Sequence, residues 1–110
     1  MIQALLDDLN EKAKADFGCC GTFDLADAEV RTQCGFDNLQ PADAVITYDF
    51  CDDDLLPEAS EGLDTWLYDH AWPLITATML KLGFRFIEEN DGSGGGLYYG
   101  GSLYRLVSQL

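Results

Sequence analysis

Apolar residues recur at helical spacing from the start of the chain. Ile2, Leu5, Leu6, Leu9, Ala13 and Phe17 share one side, and Asp7, Asp8, Glu11, Lys12 and Lys14 fill the other. That period predicts an amphipathic helix over 2–17, with Gly18 as its stop. Residues 18–23 hold Cys19, Cys20 and two glycines and read as a turn. Asp24 is placed to cap a short helix over 25–34, with Asp27 three residues on and Gly35 as the end. The run 36–43, with Asn38, Pro41 and Asp43, predicts a loop. Residues 44–51 then switch to a period of two. Ala44, Ile46, Tyr48 and Phe50 take one face, and Val45, Thr47, Asp49 and Cys51 the other, which predicts a strand. Asp52-Asp53-Asp54 ends it, because three adjacent carboxylates fit neither a strand nor a core.

The spacing predicts helix over 58–82, with Pro57 near its first position and Gly83 as its stop. At about 100° per residue, Ala59, Leu63, Trp66, Leu67, His70 and Leu74 share one side. Asp54, Glu58, Glu61 and Asp69 fall opposite, with Asp64 at the margin. Pro73 should kink or split this helix. The segment Leu74–Leu80 is apolar nearly all round, which predicts a central buried helix. Phe84–Glu89 reads as a strand, the glycine-rich run 90–96 as a turn, and Leu97-Tyr98-Tyr99 as a return strand. Ser102 can cap a last helix carrying Leu103, Leu106, Val107 and Leu110 on one face; a third hairpin strand is the alternative there.

These elements predict an α+β fold in which three or four helices pack on a small, mostly antiparallel sheet. The 110 residues suit one domain spanning 1–110, and 47% hydrophobic residues suffice for a core. The opening residues lack a basic region and meet acid at Asp7, so no secretory leader is expected. The longest low-charge run, 71–80, is too short to span a bilayer. A cytoplasmic protein is expected, with Cys19, Cys20, Cys34 and Cys51 as thiols rather than disulfides.

Charge changes the picture most. The chain carries 20 acidic and 6 basic residues, a net charge of −14. Between Asp16 and Asp69 stand fourteen acids and a single base, Arg31, so nearly all of the net charge lies in half of the chain. Such a field costs stability by self-repulsion and attracts positively charged partners. It disfavours nucleic-acid phosphates and anionic lipid, so direct nucleic-acid or membrane binding is not expected. Acids of this density also occur as plain solvated faces, and throughout the proteins of salt-adapted organisms. That reading predicts acids spread evenly, which this chain does not have, and few lysines, which it does: three.

Candidate chemistry is sparse by comparison. A calcium loop needs glycine at its sharp turn, and after Asp52-Asp53-Asp54 a proline, Pro57, stands there. Zinc is disfavoured because no Cys-x₂₋₄-Cys pair exists. The single histidine, His70, lies on the predicted apolar face, where it reads as a core residue rather than as the base for Cys19, Cys34 or Cys51. The run Gly92–Gly96 precedes Leu-Tyr-Tyr rather than a helix and has no lysine near it, unlike a phosphate loop. No catalysis, cofactor or metal is expected.

Fourteen of the twenty acids are Asp, whose short side chain loses little entropy when its charge is fixed. Carboxylates on neighbouring helical turns stand about 5–6 Å apart, and duplex DNA carries one phosphate per ~3.4 Å on each strand. A Lys/Arg groove built for phosphate would therefore accept them. In size, single-domain build and a one-sided acidic surface, the chain resembles the small acidic DNA-mimic inhibitors of phages and mobile elements, anti-CRISPR proteins among them. The resemblance implies occupation of the DNA- or PAM-reading site of a CRISPR effector or another DNA-binding enzyme. The expected contacts are Asp27, Asp37, Asp43, Asp49, Asp52, Asp53, Asp54, Glu58, Glu61, Asp64 and Asp69. The alternative is an immunity- or antitoxin-type module that neutralises another basic protein. Either would act as a monomer or small homo-oligomer.

Overall fold

The computed structural model describes residues 2–18, 22–49, 60–90 and 100–109. Helix α1 spans Ile2–Phe17, strand β1 Thr22–Leu25, helix α2 Ala28–Gln33 and strand β2 Ala44–Asp49. Helix α3, Ser60–Trp66, runs through a π turn, Leu67–Ala71, into helix α4, Trp72–Lys81. Strands β3, Phe84–Asn90, and β4, Gly100–Leu106, follow, with a 3₁₀ turn at Val107–Gln109. The four strands form one antiparallel sheet in the order β1-β2-β4-β3. The fold is thus α+β, with three helices if α3 and α4 are counted as one interrupted helix.

Alternation along β2 sends side chains to both faces of the sheet. On one face Ile46 joins Phe23, Tyr104, Leu6 and Leu9 of α1, and Leu63, Leu67, Ala71, Ile75 and Met79 of α3–α4 in the main core. On the other face Val45 and Leu103 pack against Cys34, with Val30 of α2, Phe36, Leu39 and Ile87 around them. The sheet is therefore sandwiched between a thick layer of α1, α3 and α4 and a thin layer of α2 and the loop after it.

Helix α1 ends where the pattern placed its end: Gly18 has φ 69°, and its N–H bonds the Lys14 carbonyl. Among the described residues Gly35 and Gly83 are further left-handed stops, at φ 73° and 90°. The second helix starts later than its cap at Asp24 predicted. Residues 22–25 are β1, and Asp27 is the cap, its carboxylate accepting from the Val30 N–H at 2.9 Å. The earlier residues pair with β2, so tertiary pairing overrides a local helix start. The outer edge of β1 is closed by Asn10 of α1, whose amide accepts from the Phe23 N–H at 2.7 Å and donates to its carbonyl at 3.1 Å. A side chain thereby occupies the place of a neighbouring strand.

The interruption of the long helix has its cause in Pro73. Proline has no N–H to offer the Asp69 carbonyl, and the turn before it widens, with the Trp72 N–H bonding the Leu67 carbonyl. This resets the buried stripe. In an unbroken α-helix Leu63 and Met79 would diverge by about 160°, yet 63, 67, 71, 75 and 79 all reach the core. The widened turn takes up that drift. As a result His70 and Leu74, expected on the buried side, are exposed, and His70 only borders Trp66 at 6.2 Å between ring centroids. Helix α4 is also not buried all round: Ile75 and Met79 face the core, while Leu74 and Leu80 face solvent.

At the C-terminal end the strand alternative holds. Residues 102–106 pair with β2 and β3, and only 107–109 turn helically. Leu103 and Tyr104 are buried on opposite faces, so Leu103, Leu106 and Val107 suggest a helical period without forming one. Asn90, the first residue of the predicted turn 90–96, instead extends β3 and pairs with Gly101; the rest of that turn and the return strand Leu97–Tyr99 lie outside the described residues. Among the described residues no helix is long and apolar enough to cross a membrane.

Candidate functional site

Ten of the eleven expected contact residues separate into three groups. Asp27, Asp37 and Asp69 are exposed. Asp27 stands at the start of α2, Asp37 in the loop after it and Asp69 in the π turn. Asp49 ends β2, and Glu61 and Asp64 lie on α3, with their side chains outside the description. Asp52, Asp53, Asp54 and Glu58 fall outside the described residues.

Asp43 corrects the expectation. It is 3% exposed, and its carboxylate is held inside the protein. Arg105 donates Nε to Oδ1 at 3.0 Å and Nη2 to Oδ2 at 2.9 Å, and the Gln40 N–H donates to Oδ2 at 2.9 Å. Burial pushes the Asp43 carboxyl pKa up. The Arg105 hydrogen bonds, the Gln40 N–H and the charges of Arg105 and Arg31 outweigh that and hold it below the usual carboxylate range. Arg105 also donates to the Asn38 carbonyl at 2.8 Å. Asp43 and Arg105 therefore latch the loop 36–43 onto β4, 62 residues away in sequence. A carboxylate so enclosed is unavailable to a partner.

Little of the exposed charge among the described residues is compensated by ion pairs. Among the described residues two ion pairs occur, Arg105–Asp43 and the exposed Lys12–Asp16 pair at 3.3 Å. Arg31 is the one base of the acidic segment. It donates to the backbone carbonyls of Pro41 at 3.1 Å and Gln40 at 2.7 Å rather than to a carboxylate. Asp27, Glu29, Asp37 and Asp69 thus face solvent with no cation paired to them.

These carboxylates do not share one face of the sheet. Asp27, Glu29 and Asp37 belong to the thin layer of α2 and its loop, and Asp69 belongs to the thick helical layer. Asp7, Asp8 and Glu11 extend the exposed charge along α1, beside β1. A basic groove receiving all of them would have to straddle the sheet rather than lie on one side of it.

Between α4 and β3 runs an open, largely apolar groove of about 460 Å³, with Trp72, Thr76, Ala77 and Leu80 on one wall and Phe86 and Glu89 on the other. Its signal in the sequence is the nearly all-round apolar character of 74–80, which by itself predicts burial. Cys34 is a buried free thiol whose Sγ lies 3.3 Å from the Val30 carbonyl, and burial raises its pKa. Among the described residues no group of three or more His, Cys, Asp or Glu side chains is arranged to hold a metal ion. No family model matches the chain, and no curated protein and no solved structure is similar to it.

Proposed function

We propose that this protein is a stoichiometric inhibitor that presents DNA-like negative charge to the nucleic-acid groove of a basic partner, such as a CRISPR effector or another DNA-binding enzyme. One observation carries the reading: among the described residues, Asp27, Glu29, Asp37 and Asp69 of the acidic segment are exposed with no ion pair, and its single base, Arg31, is turned to backbone carbonyls. Unpaired surface charge of one sign repels itself in the isolated fold and becomes favourable against a complementary surface. Each carboxylate met by Arg or Lys in a well-formed contact contributes roughly 1.5–3 kcal/mol. Inhibition of this kind works by occupancy alone and needs neither catalysis nor a cofactor.

The test is competition for the partner. Asp27→Asn, Asp37→Asn and Asp69→Asn remove charge with little change of shape, and Asn still caps α2. Asp52→Asn, Asp53→Asn and Asp54→Asn do the same for the central acidic run. Wild type should displace labelled DNA from the partner with a one-to-one end point, and each triple variant should need at least about tenfold more protein. Unchanged displacement by both triple variants would refute the reading.

A further inference from the structure

We infer that the groove between α4 and β3 is a peptide-docking site for a segment of another protein that carries alternating apolar and basic side chains. The inference stands apart from charge mimicry, because it rests on a different surface.

The groove's walls are apolar and open. Leu80 and Phe86 are 58% and 41% exposed, although each is of a type the core would accept. Thr76 is fixed from below, its hydroxyl 3.0 Å from that of the fully buried Tyr104, and Phe86 stacks edge-on against the same tyrosine at 5.9 Å. The walls are therefore held in place before anything binds, which lowers the cost of ordering on association. A volume of about 460 Å³ accommodates a few side chains.

The two ends differ, and the difference selects the occupant. Helix α4 and β3 run in opposite directions, since only Leu82 and Gly83 join them. Trp72 consequently lies toward the Glu89 end, and Leu80 toward the Phe86 end. At the first end the exposed carboxylate of Glu89 suits Lys or Arg. At the second end Leu80, Phe86 and Ala77 suit an aliphatic side chain. A second copy of the chain is a poor occupant, because two molecules of net charge −14 repel. That same charge attracts a basic segment.

The test uses three labelled peptides at 0.15 M salt, read by fluorescence anisotropy. The first alternates leucine and arginine, the second replaces each leucine by serine, and the third replaces each arginine by glutamate. Only the first should bind measurably. Ala77→Trp, which fills the groove, should weaken it about tenfold or more, and Glu89→Gln about threefold. Leu80→Ser, at an exposed position, should act in the same direction as Ala77→Trp and carries the test if the tryptophan variant fails to fold. The inference is overturned if the serine peptide binds as tightly as the leucine peptide, since attraction would then be charge alone. It is equally overturned if Leu80→Ser binds like wild type, or if sedimentation shows a dimer that Leu80→Ser dissociates.

Discussion

Replacing Asp43 should be among the most costly single changes at an acidic residue of this chain. The carboxylate accepts three hydrogen bonds of 2.9–3.0 Å from Arg105 and Gln40, and its side chain has no solvent exposure. Asp43→Ala removes all three bonds and leaves the guanidinium enclosed without its counter-charge. Breaking a buried pair from one side costs about 3–5 kcal/mol. Arg105 keeps the Asn38 carbonyl and some solvent contact, so the lower end, about 3 kcal/mol, applies. For a domain of this size that corresponds to a fall in Tm of about 12 °C. Asp43→Asn retains one acceptor oxygen for the Gln40 N–H and Arg105 Nη2 but loses the charge and the bond from Arg105 Nε, so at least about half of that fall is expected. The pH dependence gives an independent check. The folded-state pKa is lowered, so the stability due to this group is complete above the ordinary carboxylate value. It is lost as pH falls through the lowered folded-state value. Melts followed by circular dichroism should show a constant gap between wild type and Asp43→Asn from pH 5 to 8, narrowing below pH 4. A gap of less than 3 °C for Asp43→Ala at pH 7, or one that fails to narrow in acid, would show that the latch contributes little.

Moderate salt should stabilise the isolated protein, because ~0.15 M already shortens the screening length to about 8 Å. A Tm that is flat or falls between low and moderate NaCl would show that the exposed carboxylates do not repel one another appreciably. Asn10→Ala should cost about 1–2 kcal/mol through the two lost bonds to Phe23, and should promote self-association by opening the β1 edge, measurable by light scattering. In a variant with Cys19, Cys20 and Cys51 changed to Ser, Cys34 should resist a thiol reagent at pH 8 in the native state and react once urea unfolds the chain; prompt native reaction would contradict its burial. Gly101→Val should destabilise the sheet, since even a Cβ there would meet the Ile46 carbonyl at 3.0 Å, and a melt unchanged from wild type would contradict that packing.

Much of the fold was legible because it rests on local signals. The periods of α1 and β2, and the glycine stops at 18, 35 and 83, need no knowledge of what packs where. The errors arise where distant residues decide. Strand β1 is four residues, Thr-Phe-Asp-Leu, and exists because β2 and Asn10 pair with it from either side. The π turn shifts His70 and Leu74 outward although a uniform 100° step places them inward. Asp43 reads as one more loop carboxylate, and its burial is set by an arginine on β4 far along the chain. The one available hint was Arg105 itself, a lone cation between Tyr104 and Leu106 in an otherwise uncharged stretch. Residue type and charge density were visible at once, whereas the placement of Asp27 and Asp69 on opposite layers depends on the strand order.

The most direct test of the proposed mimicry is whether this protein and DNA exclude one another on the partner. A DNA-binding protein retained on the immobilised chain and eluted with salt would be purified and loaded with fluorescein-labelled duplex. Increasing amounts of this protein would then be added while anisotropy is recorded. The account predicts complete release of the duplex at one equivalent, weakened by higher salt and by the Asp52→Asn, Asp53→Asn, Asp54→Asn variant. A ternary complex that keeps its duplex at saturating protein would contradict it.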